Sequence, residues 1–116
     1  MAENTNRANT NRKSLNDPLA PVSTDELDTL RRQIDAIDRQ MAHLFEERMH
    51  ISLSIGSWKK AAGKAIRDEK REQEMLVSHC QWLTDASLRD SYCAFLQTLM
   101  KLSRALQKKE NEKGSV

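Results

Sequence analysis

The chain has 116 residues, with 19 lysines and arginines against 17 acidic residues for a formal net charge of +2, and only 4% aromatic residues, three glycines and two prolines. This length sets one domain, and 31% charged residues with so few aromatics suit helices better than sheets. Acids and bases are interspersed rather than massed, which argues against a nucleic-acid binder, and no run of about 18 apolar residues offers a membrane span.

The first segment, MAENTNRANTNRKSLNDPLAPV, is polar, lacks the apolar stretch of a secretory signal and repeats Asn-Thr-Asn-Arg at 4–7 and 9–12. Residues 1–22 are therefore expected to be a disordered tail outside the fold. Ser23 with Glu26 three residues on forms a capping box, and a helical pattern runs from there to a stop at Gly63. Roughly 38 residues make about 57 Å of helix. The apolar stripe of this helix reads Leu27, Leu30, Ile34, Ile37, Met41, Leu44, then Arg48, then Ile51, Ile55 and Trp58. An arginine in such a seam is costly unless water or an anion meets it.

The pattern predicts a second helix from near Asp68 to near Leu83. A third starts at Thr84 or Asp85 and carries the stripe Leu88, Tyr92, Phe95, Leu99, Leu102 and Leu106 before fading into KKENEKGSV. The folded domain is thus expected over 23–110, with 111–116 a flexible C-terminus. A compact domain of this size is only about 30 Å across, so half of the first helix must project beyond its own two partners. Its stripe stays apolar throughout and needs another chain to bury it. The expected fold is all-α, three helices per chain with one very long N-terminal helix, in an intertwined two-fold homodimer.

Polar residues interrupt the core-facing lines of all three helices. Arg48, Ser52, Ile55 and Lys59 share one line of the first helix, because eleven residues at about 100° each return Lys59 to within about 20° of Arg48. On the second helix Glu72 leads the line Leu76, His79 and Leu83, with Asp68 one turn earlier. On the third, Leu96 and Met100 are continued by Ser103 and Gln107. Such a set suits a small, polar, anionic ligand between helices. Each residue alone has a plainer reading: Arg48 could pair with Glu47 or Glu72, and Asp68 suits the N-cap of the second helix. His43, His50 and His79 read as surface or packing residues, since no carboxylate or thiol completes a metal set with them. Cys80 and Cys93 fit neither a zinc spacing nor a redox pair, and two thiols without a signal peptide point to a reducing cytoplasm.

The array LRRQIDAID, EERMHISLSIGSWK, IRDEKREQEML and LSRALQ resembles the all-helical, AroQ-type chorismate mutases, from about Leu27 to Gln107. The resemblance implies a substrate site of Arg31, Arg48, Lys59, Asp68, Glu72, Ser103 and Gln107. It implies no cofactor and no metal, because the rearrangement of chorismate to prephenate is intramolecular. Lys59 and Gln107 would donate hydrogen bonds to the ether oxygen, Arg48 would hold a carboxylate, Glu72 with the backbone near Asp68 would fix the ring hydroxyl, and Ser103 would assist a carboxylate. In dimeric members the first arginine serves the partner's site. The spacing agrees, since Arg31 and Arg48 lie seventeen residues apart and about 100° different in direction on one helix. Docking onto another shikimate-pathway enzyme, as some small members do, is left open. Two other readings compete. One is an isochorismate-pyruvate lyase on the same fold, whose branch lacks carboxylates at the positions of Asp68 and Glu72. The other is a non-catalytic helical dimerisation module, which explains the stripes but not three inward polar sets.

Overall fold

Thr24 to Ala61 form a single α-helix, α1, of 38 residues. In the computed structural model, residues 24–113 are described; the expected capping serine, Ser23, and the expected tail lie outside them. Acidic Asp25 and Glu26 occupy the first turn of α1 and Lys59 and Lys60 the last, the arrangement that complements the helix dipole at both ends. The stop falls where glycine predicts it. Gly63 adopts φ +70, the Gly63 N–H donates to the Lys60 carbonyl at 3.2 Å and the Lys64 N–H to the Lys59 carbonyl at 2.8 Å. These two bonds make a Schellman cap, which a β-carbon at 63 would strain.

Helix α2 runs Glu69–Cys80, and Asp68 caps it by accepting from the Arg71 backbone N–H at 3.0 Å. It stops three residues before the expected Leu83, as Gln81 and Trp82 turn the chain with hydrogen bonds to Ser78 and His79 carbonyls. Asp85 then caps a short 3-10 turn, Ala86–Leu88, before helix α3, Arg89–Lys113. The Ser87 hydroxyl and backbone N–H both donate to the Asp85 carboxylate and hold its pKa below the usual carboxylate range. Helix α3 does not fade after Gln107 as the charge-rich sequence suggests. Asn111 Nδ2 reaches the Gly56 carbonyl at 3.1 Å and Lys60 Nζ reaches the Asn111 carbonyl at 2.7 Å, so α1 anchors the last turns. The described residues are all-α, with no strand among them. No helix among them is long and apolar enough to cross a membrane.

The chain divides into two units, Met1–Leu44 and Phe45–Val116. The described part of the first is the N-terminal half of α1, where Leu27, Ile34, Ile37, Met41 and Leu44 are all exposed. In the second unit the expected stripes are also exposed: Ile51, Ile55 and Trp58 of α1, Leu88 of the 3-10 turn, and Phe95, Leu102 and Leu106 of α3. The side chains buried within one chain come from the other lines. They are Met49 and Ser52, beside Gly56, on α1, Cys80 on α2, and Leu96, Met100 and Gln107 on α3. Two of them, Ser52 and Gln107, are polar, and no side chain falls below 2% exposure among the described residues. So small an apolar core is marginal for one chain.

A covalent tie supplements that core. Cys80, the last residue of α2, and Cys93, in the first turns of α3, form a disulfide across 13 residues of sequence. Sequence spacing reads them as two free thiols, and the hairpin of α2 and α3 corrects this by bringing their Cα atoms to 5.9 Å. Closing a loop of this size stabilises a fold by about 3 kcal/mol in the chain-entropy account. The bond also removes the ground on which a reducing compartment is inferred.

Candidate active site

The site begins with the contact of α1 and α3. Gln107, buried on α3, donates from Nε2 to the Ser52 carbonyl at 2.7 Å and to Ser52 Oγ at 3.0 Å. The Ser52 and Ser103 hydroxyls hydrogen-bond each other across the same contact. Gly56 makes room for this, since a Cβ there would lie 2.8 Å from Gln107 Cγ. At the C-terminal end of α1, Lys59 Nζ donates to the Ile66 carbonyl at 2.7 Å and draws the connecting loop against the helix. That loop delivers Asp68, whose cap orients the first turn of α2 and with it Glu72.

These elements enclose a cavity of about 270 Å³ wholly within the second unit. Six of the seven residues expected from the sequence line it: Arg48, Lys59, Asp68, Glu72, Ser103 and Gln107. Arg31 does not; it lies exposed on α1 in the first unit. Ile51, Ile55, Ile66, Met75 and Met100 supply an apolar lining between the polar groups, the usual composition of a small-molecule site. Two further arginines, Arg71 and Arg104, enter the lining although the sequence pattern does not single them out.

Charge in the cavity is unbalanced. Arg48, Lys59, Arg71 and Arg104 face two carboxylates, Asp68 and Glu72. Arg104 is committed to Glu72, with Nη1 at 2.5 Å from Oε1. Arg48 makes none of the ion pairs found among the described residues, so neither Glu47 nor Glu72 neutralises it. An excess of cations in a partly buried space suits a small dianion, because guanidinium forks and an ammonium pair with carboxylates more strongly away from bulk water.

His79 reports the same field. Its pKa is lowered, first by burial and then by the positive charges of Arg71 and Arg48. The ring stacks on Trp82 with centroids 3.9 Å apart, a packing position. Among the described residues no group of three His, Cys, Asp or Glu side chains could hold a metal ion.

An all-helical fold with a cation-rich cavity between its helices has the shape and charge to suit a small anionic metabolite. A family model described as chorismate mutase type II matches residues 30–108, most of the chain, and the chain belongs to that family, the AroQ class. Its members are isomerases that act on chorismate and form prephenate. No curated protein and no solved structure matches the chain.

Proposed function

We propose that this chain rearranges chorismate to prephenate on the route to phenylalanine and tyrosine, in the cavity of the second unit and as a homodimer. The observation that carries the reading is the convergence of Arg48, Lys59, Asp68, Glu72, Ser103 and Gln107 on one space with cations in excess. Chorismate is a dicarboxylate with an enolpyruvyl ether. Its Claisen rearrangement breaks the C–O ether bond and forms a C–C bond within one molecule, so no proton, nucleophile or redox partner is exchanged. Two tasks remain for the protein: folding the side chain over the ring, and stabilising the negative charge that grows on the ether oxygen as its bond breaks.

In this reading Arg48 holds a carboxylate and Ser103 assists. Lys59 and Gln107 donate to the ether oxygen, and Glu72 with the backbone near Asp68 accepts the ring hydroxyl. Gln107 must then share or surrender its hydrogen bonds to Ser52 when substrate enters. Arg31 of the partner subunit supplies a second carboxylate clamp. The uncovered stripes of α1 and α3 support the dimer, since a face of that many apolar residues is rarely left to water.

The deciding assay follows the loss of chorismate absorbance and converts the product with acid. Phenylpyruvate is expected. Release of pyruvate from isochorismate, offered in a parallel assay, would favour the lyase reading, and both substrates left unchanged would leave a dimerisation module. Sedimentation at micromolar concentration should show a dimer; a folded, active monomer would remove the shared site.

A further inference from the structure

The Glu72–Arg104 pair is unlike two other ion pairs among the described residues. Arg67–Glu69 and Lys113–Glu110 have side chains more than half exposed, whereas Arg104 is 25% and Glu72 17% exposed. Exposed pairs contribute little, but a pair withdrawn from water holds its geometry. Arg104 Nη1 sits 2.5 Å from both carboxylate oxygens of Glu72, which holds the carboxylate in position.

The pair also stands in a wall. Glu72 and Arg104 line the main cavity and also a second hollow of about 240 Å³ bounded by Arg67, Gln73, Gln97 and Lys101. Two cations, Arg67 and Lys101, line that second hollow. Without Arg104, the Glu72 carboxylate would be free to turn towards them and away from the cavity. Arg104 follows the buried Met100 by four residues on α3, so it is held on the core side of that helix.

We propose that Arg104 is a positioning residue that keeps the Glu72 carboxylate aimed into the cavity, and thereby makes the site selective for a substrate that carries the ring hydroxyl. This rests on the mutase reading above. A carboxylate offers about four lone-pair positions, and two remain after Arg104 has taken one on each oxygen. Those two are the acceptors for the hydroxyl. The contact exists in substrate and transition state alike, so its loss should fall on KM more than on kcat.

The test compares wild type, Arg104→Ala, Arg104→Lys, Glu72→Ala and the double Arg104→Ala/Glu72→Ala variant. Each is assayed on chorismate and on an analogue lacking the ring hydroxyl, with urea midpoints to separate folding from function. Arg104→Ala should raise KM for chorismate by about tenfold, the worth of a charge-assisted hydrogen bond. The same substitution should change KM for the deoxy analogue by less than about twofold, and Arg104→Lys should recover part of the loss on chorismate. The double variant should be no worse than Glu72→Ala, because Arg104 acts only through Glu72. Equal losses on both substrates, or losses that multiply in the double variant, would overturn the proposal and make Arg104 a direct substrate contact or a structural residue. Should Arg104→Ala not fold, the Lys variant on the two substrates decides the same question. If wild type forms no prephenate, the mutase reading fails and this role with it; an active wild type with multiplying losses removes the role of Arg104 alone.

Discussion

Gly56 and Gln107 touch so closely that a β-carbon on the first would lie 2.8 Å from Cγ and 3.0 Å from Cβ of the second. The glycine sits inside α1, where alanine would be favoured by about 1 kcal/mol on helix propensity. It is there for the space it leaves, and the space holds the amide that bridges to Ser52.

Gly56→Ala should therefore cost both stability and activity. Gln107 Cβ, 3.0 Å from the added methyl, moves only with the backbone of α3, so overpacking should lower the stability read from urea unfolding by about 1–3 kcal/mol. Activity should fall by at least about tenfold, as an amide displaced by even about 1 Å no longer meets its acceptor. An active Gly56→Ala protein would show that Gln107 has slack the close contact does not suggest.

Gln107→Glu should acquire a steep pH dependence. The wild-type amide donates without titrating, and turnover should be nearly flat between about pH 5 and 8. A carboxylate at 107 would face the Ser52 carbonyl, now 2.7 Å from Nε2, and the developing negative charge on the substrate. It can donate only when protonated, so its rate should drop as pH rises through the new group's pKa. A variant as flat as wild type, or a wild type with a bell inside that window, would place Gln107 away from the ether oxygen.

Mixing tests the sharing of sites. Arg31→Ala and Lys59→Ala proteins should each be nearly inactive but regain roughly a quarter of wild-type activity when refolded together, because half of the dimers are hybrids with one intact site. No recovery, with hybrids shown to form, would place Arg31 outside the partner's site.

His79 gives a pH dependence of stability with a definite sign. Its folded pKa lies below the usual imidazole value of about 6.5, owing to burial and then Arg71 and Arg48. Above that value both states hold a neutral ring. As pH falls below it, the unfolded chain takes up a proton that the folded chain refuses, so stability declines until the folded pKa is reached. Urea midpoints between about pH 7.5 and 5.5 should fall less in His79→Gln than in wild type; equal slopes would refute the assignment.

Much of the site is legible in the sequence because its logic is local. A polar residue at core spacing on a helix is visible as an interruption, and Arg48, Lys59, Glu72, Ser103 and Gln107 all show themselves in that way. The same logic fits Arg104, four residues after Met100, but Ser103 and Gln107 already account for the polar end of that helix and leave the cation without a signal of its own. Which line of a helix faces its own chain is not legible. Periodicity shows that a face is apolar without saying which chain covers it, so Leu27 to Trp58 read as a seam while Met49, Ser52 and Gly56 form the contact within the chain. The Cys80–Cys93 bond depends on the α2–α3 hairpin, which no local spacing encodes.

Lys59 shows what that folding achieves for a flexible cation. A free lysine carries about 2 kcal/mol of rotamer entropy, which a substrate would have to remove if it recruited the ammonium from solvent. Here the 2.7 Å bond to the Ile66 carbonyl uses one of three N–H groups as a mooring and leaves two for the cavity. The loop that connects α1 to α2 thereby acts as a rest for the lysine, and its backbone, not its side chains, carries that role. Motional freedom is removed once, when the chain folds, and need not be removed again at each turnover.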